Sequence, residues 1–305
     1  MHSSVSLFYC IIDLRVCTDN NEDERGFKVS KDTDKKLEEL AEKIVDCIKK
    51  YGPQLSVTQR VKGVKQPWGG YLKRVDFEET LIGSGMETLH GNENVHATLI
   101  GLAVDYLSRF MLGSPVEEAF KTSFLGAKLK KTRTANNLKK KIQGLDDQSI
   151  ISALKLVGFD VVYRNGGFGY QPVEQIRPNE QTVGNVRVMV ERTLNFFEIY
   201  GPVTLDGFTF EGAYTKVIAS GDGDFLTKDT LWDLKVLRGY IKKDHTLQLL
   251  VYWRMGLRTE QPEFKTIKYL GIFNPRQNLV LRYPIEEIPD ETIKIVDEEV
   301  ISYPN

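Results

Sequence analysis

Apolar residues recur at helical spacing in several stretches of the chain. Over residues 34–50, Leu37, Leu40, Ala41, Ile44, Val45 and Ile48 share one face, and Gly52-Pro53 ends the run. Over residues 94–111, Val95, Leu99, Leu102, Ala103, Tyr106 and Phe110 form a broader face. Helices are also predicted over 146–157 and over 186–200, the latter stopped by Gly201-Pro202. Short extended runs at 208–218, 225–227, 230–237, 268–273 and 279–283 predict strands, with Lys228-Asp229 and 274–278 as the turns between neighbours. Runs at 159–164 and 168–173 flank Asn165-Gly166, a hairpin signal that, after the helix before it, loosely resembles a winged helix. Residues 5–12 read as a strand or docked arm, 18–35 as a polar loop, and 54–85, with Gly63, Pro67, Gly69 and Gly70, as strands and turns. A helix bearing Gln248 and Tyr252 and a short helix after Pro289 complete the pattern. The expected class is α/β: a central mixed sheet over about 208–283, flanked by the His96 and Gln248 helices. Residues 1–85 are set apart as an N-terminal accessory region, and 86–305 as one domain carrying a helical basic insertion over about 112–200.

One strand breaks the pattern. In 230–237 side chains alternate faces, so Asp233 and Lys235 share one face while Trp232, Leu234 and Val236 take the other. An unpaired charge taken from water costs on the order of several kcal/mol. An otherwise apolar strand therefore keeps an acid and a base where they pair, hold a metal or do chemistry. Asp224 opens the preceding strand after Gly221 and Gly223, and a tight hairpin brings the two strands to about 5 Å, which lets Asp224 and Asp233 face one cation. Gln248 and Tyr252, at i and i+4, share a helix face.

Composition narrows the choices. The chain has 305 residues, 41% hydrophobic and 27% charged, with a net charge of −1, so a nucleic-acid surface has to be local. Such a patch is present over 128–141, where Lys128, Lys130, Lys131, Arg133, Lys139, Lys140 and Lys141 occur without an acid. The three cysteines, Cys10, Cys17 and Cys47, lack C-x-x-C spacing, which argues against zinc or iron–sulfur sites and suits a cytoplasmic protein. No apolar run approaches a membrane span, and residues 5–12 lack the basic leader of a signal peptide. The glycines over 63–70 and 83–85 match neither a P-loop nor a dinucleotide fingerprint.

Gly221-Asp222-Gly223-Asp224, a short hairpin, Asp233-Leu234-Lys235 and then Gln248-x-x-x-Tyr252 resemble the PD-(D/E)xK nuclease superfamily, in particular its RecB-like exonuclease branch, a resemblance that covers about a third of the chain. The resemblance implies a restriction-endonuclease-like core, Mg²⁺ or Mn²⁺ as cofactor and DNA as substrate. It implies Asp224, Asp233 and the Leu234 carbonyl as metal ligands and Lys235 as the water-activating group. Gln248 and Tyr252 then position the scissile strand. It also implies a histidine on a preceding helix that completes the metal site. His96 is similar to it, one place late and more than a hundred residues ahead of Asp224. Without His96, Glu191 and Glu211 are the candidates for an extra acid, and no spacing selects between them. The setting stays open between DNA repair, defence against foreign DNA and a mobile element. No helicase or ATPase motif occurs, so a substrate that needs unwinding requires a helicase or other protein partner. The alternatives are an inactive nuclease-like fold that binds nucleic acid or protein, and a stabilising Ca²⁺ loop at Asp222, Asp224 and Asp229, which lacks the ligand order of an EF-hand.

Overall fold

A computed structural model describes residues 55–83 and 88–304. The helix expected over 34–50, the run at 5–12 and all three cysteines lie outside these residues. Strand β1 (Leu55–Ser56) leads into helix α1 (Val57–Gly63). The start of α1 is closed reciprocally. The Gln59 N–H donates to the Ser56 hydroxyl, and the Ser56 N–H donates to the Gln59 side chain. Strand β2 (Glu78–Leu81) precedes helix α2 (Ala97–Met111), and the helical region continues with α3 (Val116–Ala119), α4 (Lys121–Leu129), α5 (Thr134–Lys139), α6 (Asp147–Leu156), α7 (Asp160–Asn165) and α8 (Glu180–Tyr200). The Asp146 carboxylate caps α6 at the Ser149 N–H, and Asn179 caps α8 at the Thr182 N–H. Strands β3 (Val203–Asp206), β4 (Ile218–Ser220), β5 (Phe225–Thr227) and β6 (Thr230–Leu234) come next, then helix α9 (Lys243–Gly256), strands β7 (Tyr269–Asn274) and β8 (Leu279–Pro284), and helix α10 (Asp290–Ile295).

The protein is α/β, with a mixed six-stranded sheet ordered β2-β8-β7-β6-β5-β3. Strands β6 and β7 run parallel, joined over α9, and every other neighbouring pair is antiparallel. Strands β1 and β4 form a separate parallel pair. Alternation along the strands sends two sets of side chains to two cores. Leu226, Leu231, Leu270 and Ile272 join α9 residues such as Leu250 in one. Phe225, Trp232, Phe273 and Val280 meet Phe196 of α8 in the other. Phe196 stacks on Phe273 at 4.3 Å and meets Trp232 edge-on at 4.8 Å. Trp232 is wholly buried, and its indole N–H donates to the Thr227 hydroxyl at 3.0 Å. Opposite it sits Gly271, where a Cβ would lie 2.3 Å from the indole, so the close packing here requires glycine. A third core, with Ile100, Leu107, Phe120, Leu154, Phe159 and Met189, is built in the helical region, with half-buried Val236 from the segment after β6 packed against it.

Several expectations change. Within 54–85, expected as strands and turns, residues 57–63 form the capped helix α1. The described part of the expected accessory region belongs to the main body. Val57, Val61, Leu72 and Phe77 share the α9 core, and β2 is an edge strand of the sheet. Residues 208–218 are not a strand. The first strand of the meander is β3, and positive-φ Gly207 and Gly212 interrupt the chain beyond it, leaving Phe208, Phe210 and Ala213 to pack as core from a loop. The hairpin over 159–173, and with it the winged helix, is replaced by α7. Gly166, at φ +61°, is its C-cap, because a left-handed glycine serves a helix end as readily as a turn. Strand β6 ends at Leu234, three residues short of 237, although the Lys235 N–H still reaches the Phe273 carbonyl at 2.9 Å.

A candidate acidic site at the end of the β5–β6 hairpin

The pairing of Phe225 with Trp232 sets the geometry. One step further out, Asp224 stands opposite Asp233, and the two-residue period turns both toward α9 along with Leu226 and Leu231. The Leu234 N–H donates to Asp224 Oδ2 at 2.6 Å. The Lys235 ammonium lies 3.0 Å from Asp233 Oδ1 and 2.8 Å from Oδ2, and 3.3 Å from Gln248 Oε1. Gln248 Nε2 in turn donates to the Tyr252 hydroxyl at 2.6 Å. The structure thus brings together Asp224, Asp233, Leu234, Lys235, Gln248 and Tyr252, from the open end of the β5–β6 hairpin and from helix α9.

Charge crowding shows in the titration behaviour. Burial pushes the Asp224 carboxyl up, and the charges of Asp233 and Asp105 add to it. Lys235 and the Leu234 N–H only partly oppose, and the pKa rises to about 8. Burial alone would lower the Lys235 ammonium, but Asp233 and Asp224 outweigh it, and its pKa ends above the ordinary lysine value. Tyr252 is held well above its usual value, first by burial and then by Asp233.

His96 does not join this group. It is exposed and caps α2, its Nδ1 accepting the Thr98 N–H at 3.3 Å. The same helix instead supplies Asp105, nine residues on, about half a turn around the helix and about 13 Å further along its axis. Neither Glu191 nor Glu211 is among the leading causes of the shifts of Asp224 or Lys235. Sequence reasoning missed Asp105, although an acid between buried Val104 and Tyr106 is a readable signal. It also missed His245 in the first turn of α9. Burial and then the Lys235 charge lower this imidazole, and its Nδ1 accepts the Lys242 N–H at 3.1 Å.

Asp105 also forms part of a neighbouring cleft of about 220 Å³ lined by Arg109, Asp206, Phe225 and Leu234 among others. Arg109 bridges Asp105 at 2.9 Å and Asp206 at 2.7 Å. In the basic segment, Lys128, Lys130, Lys131, Arg133, Lys140 and Lys141 are not buried, whereas Lys139 pairs with Glu117. Lys130 lies 4.5 Å above the Tyr170 ring.

Asp233 Oδ2 is buried and, apart from its ion pair with Lys235, accepts no hydrogen bond. An under-coordinated carboxylate oxygen facing a second acid fits a hard cation. Among the described residues no three His, Cys, Asp or Glu side chains converge as a preformed metal cage. Any cation here would therefore draw on the two carboxylates, a backbone carbonyl and solvent or substrate oxygens. No helix among the described residues is long and apolar enough to cross a membrane. Comparison with family models, with curated proteins and with solved structures finds no match.

Proposed function

We propose that this protein is a Mg²⁺- or Mn²⁺-dependent deoxyribonuclease on a restriction-endonuclease-like core, as the resemblance to RecB-like nucleases implies. The observation that carries the reading is the confrontation of Asp224 and Asp233 across the β5–β6 hairpin, with the Lys235 ammonium 2.8 Å from Asp233. Two acids crowded into a largely buried site are relieved either by a proton on Asp224 or by a cation between them, and a divalent cation displaces that proton in the working state.

Asp224, Asp233 and the Leu234 carbonyl are the groups that would hold the metal. When bound, it supplies Lewis-acid activation of water and neutralises charge on the phosphate. Lys235, kept protonated by its two acid neighbours, donates to the nucleophilic water or to a phosphate oxygen and offsets the negative charge that grows in the transition state. Proton removal from Lys235 is opposed while both acids are charged, so its first role is to orient and stabilise. Gln248 fixes the ammonium from the other side, and by donating to the Tyr252 oxygen it leaves the Tyr252 O–H free for a phosphate.

The competing reading is an inactive binding module. It draws on the same ion pair, because Lys235 satisfies Asp233 without any metal. Cleavage of linear and circular DNA, double- and single-stranded, with Mg²⁺ or Mn²⁺, separates the two. Metal-dependent cleavage lost in Asp233→Ala and Lys235→Ala supports the nuclease, and the circular substrate distinguishes endo- from exonucleolytic action. A folded protein that cuts nothing and does not bind Mn²⁺ would favour the binding module.

A further inference from the structure

Besides Asp105, the helical region reaches the acidic site through Arg164. Arg164 projects from the last turn of α7, with its Nε 3.8 Å from Asp160 Oδ2 and its Nη1 3.7 Å from Asp222 Oδ2. Asp160 is the inner anchor. It is 1% exposed and accepts hydrogen bonds from the Tyr106 hydroxyl at 2.7 Å and from the Ser123 hydroxyl, so it holds the guanidinium stem against the α2–α4 core. Asp222 is different in kind. It is exposed and lies two residues before Asp224, and its charge is felt by both Lys235 and Tyr252. Arg164 therefore stands at the mouth of the site, with its outer edge held by a long, solvent-exposed ion pair. Such pairs contribute little and exchange readily for a better acceptor. A phosphate is that acceptor, since it matches the guanidinium fork bidentately.

Four residues on is Phe168, 90% exposed, on a turn closed by its own N–H donating to the Asn165 carbonyl at 3.2 Å. Leaving a phenyl ring in water is unfavourable, and nothing among the described residues covers it. Tyr163, half-exposed, precedes Arg164, and Lys130 over the Tyr170 ring joins the basic segment to the same tip. Cations interleaved with accessible rings next to an acidic site form a strand-tracking surface rather than a duplex-reading one.

We propose that the α7 tip is the strand guide of the site, Arg164 taking a backbone phosphate from Asp222 and Phe168 stacking on an unpaired base. The proposal rests on the nuclease reading and names its substrate class as single-stranded DNA or a frayed end. A base inside a duplex does not offer its face to Phe168, so the surface discriminates by strandedness rather than by sequence.

The test measures binding in EDTA, where cleavage does not intervene, by fluorescence anisotropy of a labelled oligothymidylate and of a blunt duplex closed by hairpins at both ends. Phe168→Ala, a change on an exposed ring, is expected to weaken oligothymidylate binding about tenfold and to leave duplex binding within twofold. Arg164→Gln is expected to weaken oligothymidylate binding by a similar factor, with Arg164→Lys in between because it keeps the charge and loses the fork. Thermal unfolding identifies any loss of fold in Arg164→Gln, and Phe168→Ala then decides alone. Wild-type oligothymidylate binding by Phe168→Ala, or an equal loss on the closed duplex, overturns the strand guide. Because no metal is present, neither result depends on whether the site cleaves, and a catalytically dead protein that still shows the Phe168 effect would overturn only the nuclease reading.

Discussion

Asp160, in the helical region, and Asp233, on the sheet, are both nearly sealed from solvent, 1% and 2% exposed, yet they are provided for in opposite ways. Asp160 receives two hydroxyl donors, from Tyr106 and Ser123, with Arg164 close by, and no acid stands directly against it. Asp233 has one ammonium to share with Gln248, an oxygen without a hydrogen bond, and Asp224 standing opposite. Burial raises the pKa of both Asp160 and Asp224, but only at Asp224 do neighbouring acids rank next among the causes. A charge surrounded by donors is a structural element. A charge set against another charge is relieved by a proton or by a further cation, and groups perturbed in this way concentrate at sites that do chemistry, which separates the two regions.

Cleavage rate tests the contrast most severely. Asp233→Asn should lower metal-dependent DNA cleavage at least a hundredfold (rate loss on the order of 10² or more) with the fold retained by circular dichroism, since loss of the Lys235 pair and relief of the repulsion from Asp224 act on stability in opposite directions. Wild-type cleavage by Asp233→Asn would end the assignment. Asp160→Ala should do the reverse. It strands Tyr106, Ser123 and Arg164 and should cost about 3 kcal/mol in urea unfolding, with a far smaller loss of cleavage per folded molecule.

A pH series probes the same difference through stability. The folded Asp224 carboxyl titrates at about 8, whereas its unfolded reference lies near the ordinary 3.8, so between those values the native state holds a proton that the unfolded state has lost. Stability from this group is therefore present at low pH and is lost as pH rises through that window. Asp224→Asn should flatten that fall in denaturant midpoints measured from about pH 5 to about pH 8.5. Mn²⁺ should stabilise the wild type more at about pH 8 than at about pH 6, since binding requires the proton to leave. A Mn²⁺ effect independent of pH would separate Asp224 from the metal.

Smaller effects come from the outer parts. Tyr106→Phe should cost about 1 kcal/mol of stability by removing one donor from Asp160, with cleavage unchanged. Lys128→Ala combined with Lys140→Ala should leave cleavage at low salt intact and reduce the slope of log affinity for DNA against log salt by about one per lysine. An unchanged slope would mean that these lysines are ordinary solvated surface.

The candidate site was largely legible in the chain because its parts are close in sequence. A strand period of two put Asp233 and Lys235 on one face, a tight hairpin put Asp224 opposite, and a helix period put Gln248 over Tyr252. All three are local geometry, and the contacts at 2.8, 3.0, 3.3 and 2.6 Å result from them. The basic segment was equally visible, because an excess of lysine needs no fold to be seen. The Asn165-Gly166 reading failed for a reason inside the signal itself, since one left-handed glycine is compatible with two different chain reversals. Likewise the apolar content of 208–218 marked burial correctly but not its form, because a loop interrupted by Gly207 and Gly212 can fill a core without making a ladder.

Neighbours a few residues apart are enough to set the alternation of strands and helices, the acid–lysine–glutamine–tyrosine constellation and the place of the positive charge, so all of these can be read along the chain. Three features exist only in the folded molecule. Helix α2 delivers Asp105 rather than His96, residues 55–83 complete the main core, and Arg164 of the helical region meets Asp222 at the mouth of the site. Those choices turn on which face of one helix packs against which edge of a sheet formed by distant segments. That outcome is set by side-chain volumes across the whole core, and no local period along the chain encodes it.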